Sequence, residues 1–132
     1  MKRLLQKQRC RIRTIIAGSR GYGSIKLIKE AVEESGFSVT EIISGRAKGV
    51  DTAGEGYAYS ADIDLVMFPA NWNKHGRAAG PIRNRRMAEY AAADKSRPGA
   101  LIAVWDGKSR GTESMIKIAH DEGLKVFIFR VD

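Results

Sequence analysis

The chain of 132 residues has few of the side chains that form covalent or metal cross-links. Its single cysteine, Cys10, excludes an internal disulfide, and with only two histidines it cannot form a zinc cluster. No apolar run approaches the roughly 20 residues of a membrane-spanning helix, and Leu4 and Leu5 between cations are too short for a secretory signal. We therefore expect a cytoplasmic protein with no membrane partner, metal or cofactor.

Two nucleotide-binding motifs are also missing. No G-x-x-x-x-G-K-[ST] segment occurs, so a P-loop nucleotide triphosphatase is not indicated. The first glycine-rich turn, Gly18–Gly23, has the spacing G-x-x-G-x-G in place of the dinucleotide fingerprint G-x-G-x-x-G. The second predicted strand ends in Ser44 and Gly45 without the acid that would bind ribose hydroxyls. An ordinary NAD-dependent dehydrogenase is therefore not indicated either.

The positive charge is concentrated at the start of the chain. The net charge is +8, and residues 1–13 supply six cations and no acid. We predict a basic tail over residues 1–11, followed by one domain over residues 12–132. A short basic arm can contact nucleic acid, but such arms are more often solvated termini. Nucleic acid is therefore the less favoured partner.

Short apolar runs alternate with amphipathic segments along the rest of the chain. The predicted strands are Ile12–Ala17, Val39–Ile43, Asp64–Phe68, Ala100–Trp105 and Val126–Phe129. The predicted helices are Ser24–Ser35, Val50–Ala61, Pro81–Asp94 and Thr112–Glu122, with residues 69–80 as an irregular loop. This alternation predicts a single α/β, Rossmann-like domain of three layers. Its five-stranded parallel sheet should have the strand order 3-2-1-4-5, with helices on both faces.

The strongest binding signal lies between the second predicted strand and the helix that follows it. The apolar run stops at the segment Gly45–Gly49, which contains two cations, Arg46 and Lys48. Glycines let a backbone approach an anion closely, and a helix amino terminus attracts negative charge. We expect a phosphate at this junction, with Asp51 or Thr52 capping the helix.

Similar loops follow the first, third and fourth predicted strands, and parallel strands deliver all of these loops to one edge of the sheet. Arginines cluster at the start of the third predicted helix, where they oppose the helix dipole and so favour an anion as their partner. The cleft that we expect there is basic, with one aromatic side chain, and suits a phosphorylated compound that carries a base or a ribose. The predicted ligand-binding residues are Gly18, Ser19, Arg20, Gly45, Arg46, Lys48, Gly49, Asp51, Asn71, Trp72, Arg83, Asn84, Gly107, Gly111 and Thr112.

Five blocks in series carry a family resemblance over about residues 12–131. They are IIAGSRGYG, IISGRAKGVDTAGEGYA, FPANW, AAGPIRNRRM and GTESMIKIAHDEGLKV. Together they resemble the YspA/cpYpsA-related branch of the SLOG superfamily, whose Rossmann-like domains are related to DprA and to the LOG phosphoribohydrolases. The resemblance implies a nucleotide or an NAD- or ADP-ribose-derived ligand and a role as sensor or sequestering protein. It also implies a phage or other mobile element as the source, and it adds Gly80 to the site positions named above. A homo-oligomer is a further expectation.

One segment departs from the LOG pattern. LOG enzymes cleave an N-glycosidic bond of a nucleoside 5′-monophosphate and carry a P-G-G-x-G-T-x-x-E block. The corresponding segment here, Asp106–Glu113, reads D-G-K-S-R-G-T-E, so the acid follows the threonine directly. A register change of one or two residues turns a helical side chain by roughly 100–200°. We therefore favour a binding protein. The alternative is an N-glycosidase with Asp51, Asp106 or Glu113 as catalytic candidates, and DprA-like nucleic-acid binding is a further alternative.

Overall fold

The computed structural model describes residues 12–131, in which strands and helices alternate as the sequence predicts. The predicted basic tail, with Cys10, lies outside the described residues. The strands are β1 (Ile12–Gly18), β2 (Val39–Ser44), β3 (Asp64–Met67), β4 (Ala100–Trp105) and β5 (Lys125–Arg130). The helices are α1 (Ile25–Ser35), α2 (Val50–Ser60), α3 (Trp72–His75), α4 (Ala79–Ala92) and α5 (Arg110–Asp121), and a 3₁₀ helix, Gly76–Ala78, joins α3 to α4.

The five strands form one parallel sheet in the order β3-β2-β1-β4-β5, which confirms the predicted fold class and strand order. At the centre of the sheet, Ile15 of β1 pairs with Ile43 of β2 on one side and with Leu101 of β4 on the other. The chain moves outward from β1 to β3 and then returns to place β4 beside β1. The topological switch point of the fold therefore lies between β1 and β4, where α/β sheets bind ligands beyond their carboxyl ends.

Two layers of helices cover the two faces of the sheet. Side chains alternate along β1, so Ile15 and Ala17 pack with α4 and α5, while Ile16 packs with α1 and α2. The central strands are buried on both faces, which explains their continuous apolar sequences. Within residues 12–131, no helix is both long enough and apolar enough to cross a membrane.

The segment predicted as an irregular loop, residues 69–80, is partly helical. It contains α3 and the 3₁₀ helix, and α4 begins at Ala79, two residues before the predicted start at Pro81. Asn71 caps α3, because its side-chain oxygen accepts a hydrogen bond from the Lys74 amide at 3.1 Å. No residue of α3 is buried, so this helix leaves no hydrophobic period in the sequence.

The predicted cap of α2 is wrong, because neither Asp51 nor Thr52 occupies the N-cap position. Gly49 occupies it, with φ 81° and no side-chain cap, and Asp51 lies in the first turn. Helix α5 likewise begins at Arg110 and not at Thr112, because Ser109 caps it.

Candidate functional site

A cleft of about 500 Å³ opens at the carboxyl edge of the sheet. Its walls come from the loops after β1, β2, β3 and β4 and from the first turns of α4 and α5. This volume falls within the about 300–1,000 Å³ that small-molecule sites occupy. The cleft therefore lies where the topology of the sheet places a ligand site.

Most of the predicted ligand-binding residues line this cleft. They are Gly18, Arg20, Gly45, Arg46, Lys48, Asp51, Trp72, Arg83, Asn84, Gly111 and Thr112, and Gly80 lines it as well. The loops that carry them are far apart in sequence but meet because all four preceding strands are parallel. The cleft lining does not include Ser19, Gly49, Asn71 or Gly107.

Ser19 and Gly49 hold the loops together behind the cleft. Ser19 is only 2% exposed, and its hydroxyl oxygen accepts a hydrogen bond from the Asp106 amide at 3.2 Å. It therefore joins the loop after β1 to the loop after β4. Gly49 has φ 81°, and a Cβ at this position would overlap the backbone of Arg20. Only glycine permits this close approach of the β1 and β2 loops.

Asn71 and Gly107 lie near other features of the surface. Asn71 caps α3 and lines a smaller cavity beside the cleft. Gly107 has φ 79° and lies against the guanidinium of Arg130, at a turn that the β4 loop makes before α5. Their assignment as ligand-binding residues stays a prediction.

Arg83 is a cation of the cleft whose guanidinium donates hydrogen bonds to two oxygens of the protein. Its Nη1 donates a hydrogen bond to the carbonyl oxygen of Gly45, and its Nε donates to Oδ1 of Asn84 at 2.9 Å. A Cβ at position 45 would stand 2.7 Å from Nη1, so a larger residue there would require the guanidinium to shift. Burial lowers the pKa of Arg83 from its usual value, while the charge of Asp51 opposes that shift. Arg83 nevertheless remains charged at neutral pH, since no arginine in a protein loses its proton there.

Asp51 is the one carboxylate in the cleft lining formed by residues 12–131. The residue is 4% exposed, and its Oδ2 accepts a hydrogen bond from the Ala47 amide at 3.3 Å. Burial raises its pKa from 3.8 to about 6, although the Ala47 hydrogen bond and the charge of Arg83 act in the opposite direction. A carboxyl group with a pKa near neutrality can exchange a proton with a ligand or form a hydrogen bond to it in either protonation state.

Arg46 has an unusual backbone conformation for a residue other than glycine. Its φ is 63°, and its amide donates a hydrogen bond to the Ser44 hydroxyl at 3.1 Å. The side chain lies 3.7 Å from Oε2 of Glu55 and donates to the sulfur of Met67 at 3.2 Å. A left-handed conformation costs about 1–3 kcal/mol at such a residue and is most often retained where function requires it.

Trp72 is the exposed aromatic side chain of the cleft. It begins α3 and is 53% exposed. Its ring lies against Gly80, where a Cβ would stand 3.6 Å from the Cη2 atom of the indole. A large flat side chain with one free face offers a stacking surface for a base.

The other two catalytic candidates do not line the cleft. The Asp106 carboxylate accepts hydrogen bonds from the amides of Lys108 and Ser109, both at 2.8 Å, and these bonds hold its pKa below the usual value. Glu113 is exposed on α5. Within residues 12–131, no group of three or more histidine, cysteine, aspartate or glutamate side chains is arranged to hold a metal ion.

Sequence reasoning missed Ser109 and Ser114, whose side chains add hydroxyl groups to the cleft lining. The segment Gly107–Gly111 has the G-x-S-x-G spacing of a hydrolase nucleophile elbow. Ser109 instead caps α5, its hydroxyl oxygen accepting from the Thr112 amide at 3.5 Å and from the Thr112 hydroxyl at 3.1 Å. No histidine of the described chain lines the cleft to activate it. A serine that precedes an amphipathic run is a helix-cap signal, and this signal could have placed Ser109 at the start of α5.

Comparison with known proteins gives one result for this site. Residues 12–75 match the family described as the YspA, cpYpsA-related SLOG family. No curated protein matches the chain. The matched segment extends from β1 through α3, so it includes the loops that carry Arg20, Arg46 and Trp72.

Proposed function

The chain belongs to the YspA, cpYpsA-related branch of the SLOG superfamily, and from this premise we propose that its cleft binds a nucleotide or an NAD- or ADP-ribose-derived phosphorylated ligand. Membership in this superfamily is consistent with a nucleotide-related ligand. In this proposal the protein holds the ligand intact, as a sensor or as a sequestering protein.

The observation that carries the proposal is the imbalance of charge in the cleft. Four cationic side chains line it, Arg20, Arg46, Lys48 and Arg83, against the single carboxylate of Asp51. Arginine is well suited to phosphate because its planar guanidinium donates two parallel hydrogen bonds. A phosphorylated compound would neutralise this surplus, whereas an apolar ligand would leave it uncompensated.

The remaining walls suit the nucleoside part of such a ligand. Trp72 presents its ring at the edge of the cleft and can stack on a base, which is worth about 1–3 kcal/mol. The carboxyl group of Asp51 suits the ribose of such a ligand, because it can form hydrogen bonds to ribose hydroxyls.

Mass spectrometry of small molecules released on denaturing the purified protein tests this proposal. We expect an intact phosphorylated nucleotide derivative in the released fraction. We also expect ADP-ribose to bind the ligand-free protein in calorimetry, more weakly as ionic strength rises, because salt screens exposed cations. A protein that releases no such compound and binds neither ADP-ribose, NAD nor a nucleoside monophosphate would contradict the proposal.

An N-glycosidase is the second candidate, and the raised pKa of Asp51 is the observation that favours it. A carboxyl group with a pKa of about 6 is suited to act as a general acid or base. Glycoside hydrolysis usually uses two carboxyl groups, however, and stabilises a cationic transition state. Asp106 and Glu113 do not line the cleft, whose surplus cations oppose positive charge at a ribose carbon. Binding without rapid turnover is therefore the better supported function.

A further inference from the structure

A smaller cavity of about 160 Å³ adjoins the cleft. Pro69, Ala70 and Arg83 belong to the linings of both, so the two spaces share a wall. We call this cavity the side pocket. It is formed by Met67–Asn71, His75, Ala79, Ile82, Arg83 and Arg86.

The polar groups of the side pocket are hydrogen-bond donors and cations. Arg83 and Arg86 contribute guanidinium groups, and His75 contributes an imidazole from the end of α3. The side-chain oxygen of Asn71 accepts from the Lys74 amide, which leaves its NH₂ group to donate. In the described chain, no carboxylate lines this pocket.

Arg86 differs from its neighbour on α4 in having no acidic partner. Arg85 lies 3.3 Å from Oε1 of Glu122, whereas no acid of residues 12–131 forms an ion pair with Arg86. Arg83 uses Nη1 and Nε within the protein, and its guanidinium retains further donors. Arg86 and the remaining donors of Arg83, in a small cavity with no carboxylate in its described lining, favour an anion there.

We propose that the side pocket is a second anion subsite, which accepts a further phosphoryl group of a ligand whose first phosphates lie in the cleft. The inference rests on the proposed function, since the same ligand occupies both spaces. It narrows the ligand class to a nucleotide derivative with an additional phosphoryl group on the ribose that carries the base.

The position of α3 explains why that ribose is the relevant one. Trp72 and His75 are three residues apart, so they project from the same side of this short helix. A base stacked on Trp72 therefore has its own ribose close to the side pocket that His75 helps to form. The phosphates that link it to the rest of the ligand extend toward the cations of the cleft.

Calorimetric titration at constant ionic strength with ADP-ribose and with ADP-ribose 2′-phosphate tests the inference. We expect the wild type to bind the 2′-phosphate at least about tenfold more tightly, a factor equal to 1.4 kcal/mol. Arg86→Gln should remove most of this gain and leave the affinity for ADP-ribose unchanged. Arg85→Gln, which makes the same change of charge one residue away, should preserve the gain.

Each other result has a distinct meaning. Equal affinities of the wild type for the two ligands would exclude the second subsite and leave the cleft proposal intact. If Arg86→Gln and Arg85→Gln reduce the preference for the 2′-phosphate equally, the preference comes from the overall positive charge of α4, and the subsite is overturned. Failure of the wild type to bind either ligand would overturn the subsite, and it would overturn the proposed function as well if NAD and nucleoside monophosphates also failed to bind.

Discussion

The guanidinium of Arg83 donates a hydrogen bond to the carbonyl oxygen of Gly45 and thereby joins the first turns of α4 to the loop after β2. Both residues line the cleft, and Asp51 lies close enough to Arg83 for each charge to shift the pKa of the other. The cation is thus fixed before any ligand arrives. A fixed cation loses little conformational entropy on binding, which is the advantage of preorganisation.

Replacing Arg83 with alanine should weaken binding of ADP-ribose by about 1–3 kcal/mol, the usual cost of losing a hydrogen bond to a charged group. Affinity falls directly because the cation is missing, and indirectly because the Gly45 turn loses its hydrogen bond to Arg83. Calorimetric titration measures it. Arg85→Ala is the matched control, because Arg85 forms an ion pair with Glu122 away from the cleft and should leave the affinity unchanged. Equal affinities of Arg83→Ala and the wild type would exclude Arg83 from the ligand site.

Asp51→Asn should change how stability depends on pH. Burial raises the Asp51 pKa to about 6, so the folded chain binds this proton more tightly than the unfolded chain, where the pKa is near 3.8. The stability from this group is fully present below about pH 4 and is lost as the pH rises through about 6. Relative to the wild type, the free energy of unfolding of the variant should therefore increase by on the order of 2–3 kcal/mol between pH 4 and pH 7.

Urea denaturation of the wild type and Asp51→Asn at both pH values measures this difference. Other titrating groups are common to the two proteins, so they cancel in the comparison. A difference in the free energy of unfolding that stays constant with pH would show that burial does not disfavour the Asp51 carboxylate. The same variant should bind ADP-ribose more weakly, since an amide replaces the carboxyl group in the cleft.

Trp72→Leu should weaken ADP-ribose binding by about 1–3 kcal/mol through loss of base stacking. Its effect on the free energy of unfolding should be small, because the side chain is 53% exposed. Tyr59→Leu serves as the control: Tyr59 is 92% exposed on α2 and does not line the cleft. If both variants bind ADP-ribose like the wild type, the base does not stack on Trp72.

Gly49→Ala should destabilise the protein by about 1–3 kcal/mol or more, because alanine is strained at φ 81° and its Cβ would overlap the Arg20 backbone. Gly21→Ala is the control, since nothing lies within 4 Å of a Cβ at that position and its φ is not positive. Thermal unfolding of the two variants gives the comparison. Equal melting temperatures for both would contradict the close approach of the β1 and β2 loops.

The sheet could be predicted because its physical signal is simple. Strands buried on both faces read as short apolar runs, and parallel crossovers leave few arrangements for five of them. Helix α3 gave no such signal, because its start is set by the Asn71 cap and none of its residues is buried. The start of α2 at Val50 was predicted, but its cap was not, since the pattern indicated a side-chain cap and Gly49, with φ 81° and no side chain, occupies the N-cap position instead.

The cleft could be predicted as a region but not residue by residue. Parallel topology alone brings the loops with Arg20 and Arg46 and the start of α4 with Arg83 to one edge. The sequence does not reveal which loop residues face a ligand and which hold the loops together. Ser19 belongs to the second kind, because its hydroxyl bonds a backbone amide of another loop. Such long-range contacts depend on the packed structure and have no local pattern.

The central claim is that the cleft holds a phosphorylated nucleotide derivative without rapidly cleaving it. Its most direct test is incubation of the protein with ADP-ribose, NAD and nucleoside monophosphates, followed by denaturation and chromatography of the small molecules. The account predicts recovery of the bound ligand intact, from the wild type but not from Arg83→Ala. Release of free base at about 1 per second, the low end of ordinary turnover, with loss of that activity in Asp51→Asn, would contradict it and establish an N-glycosidase.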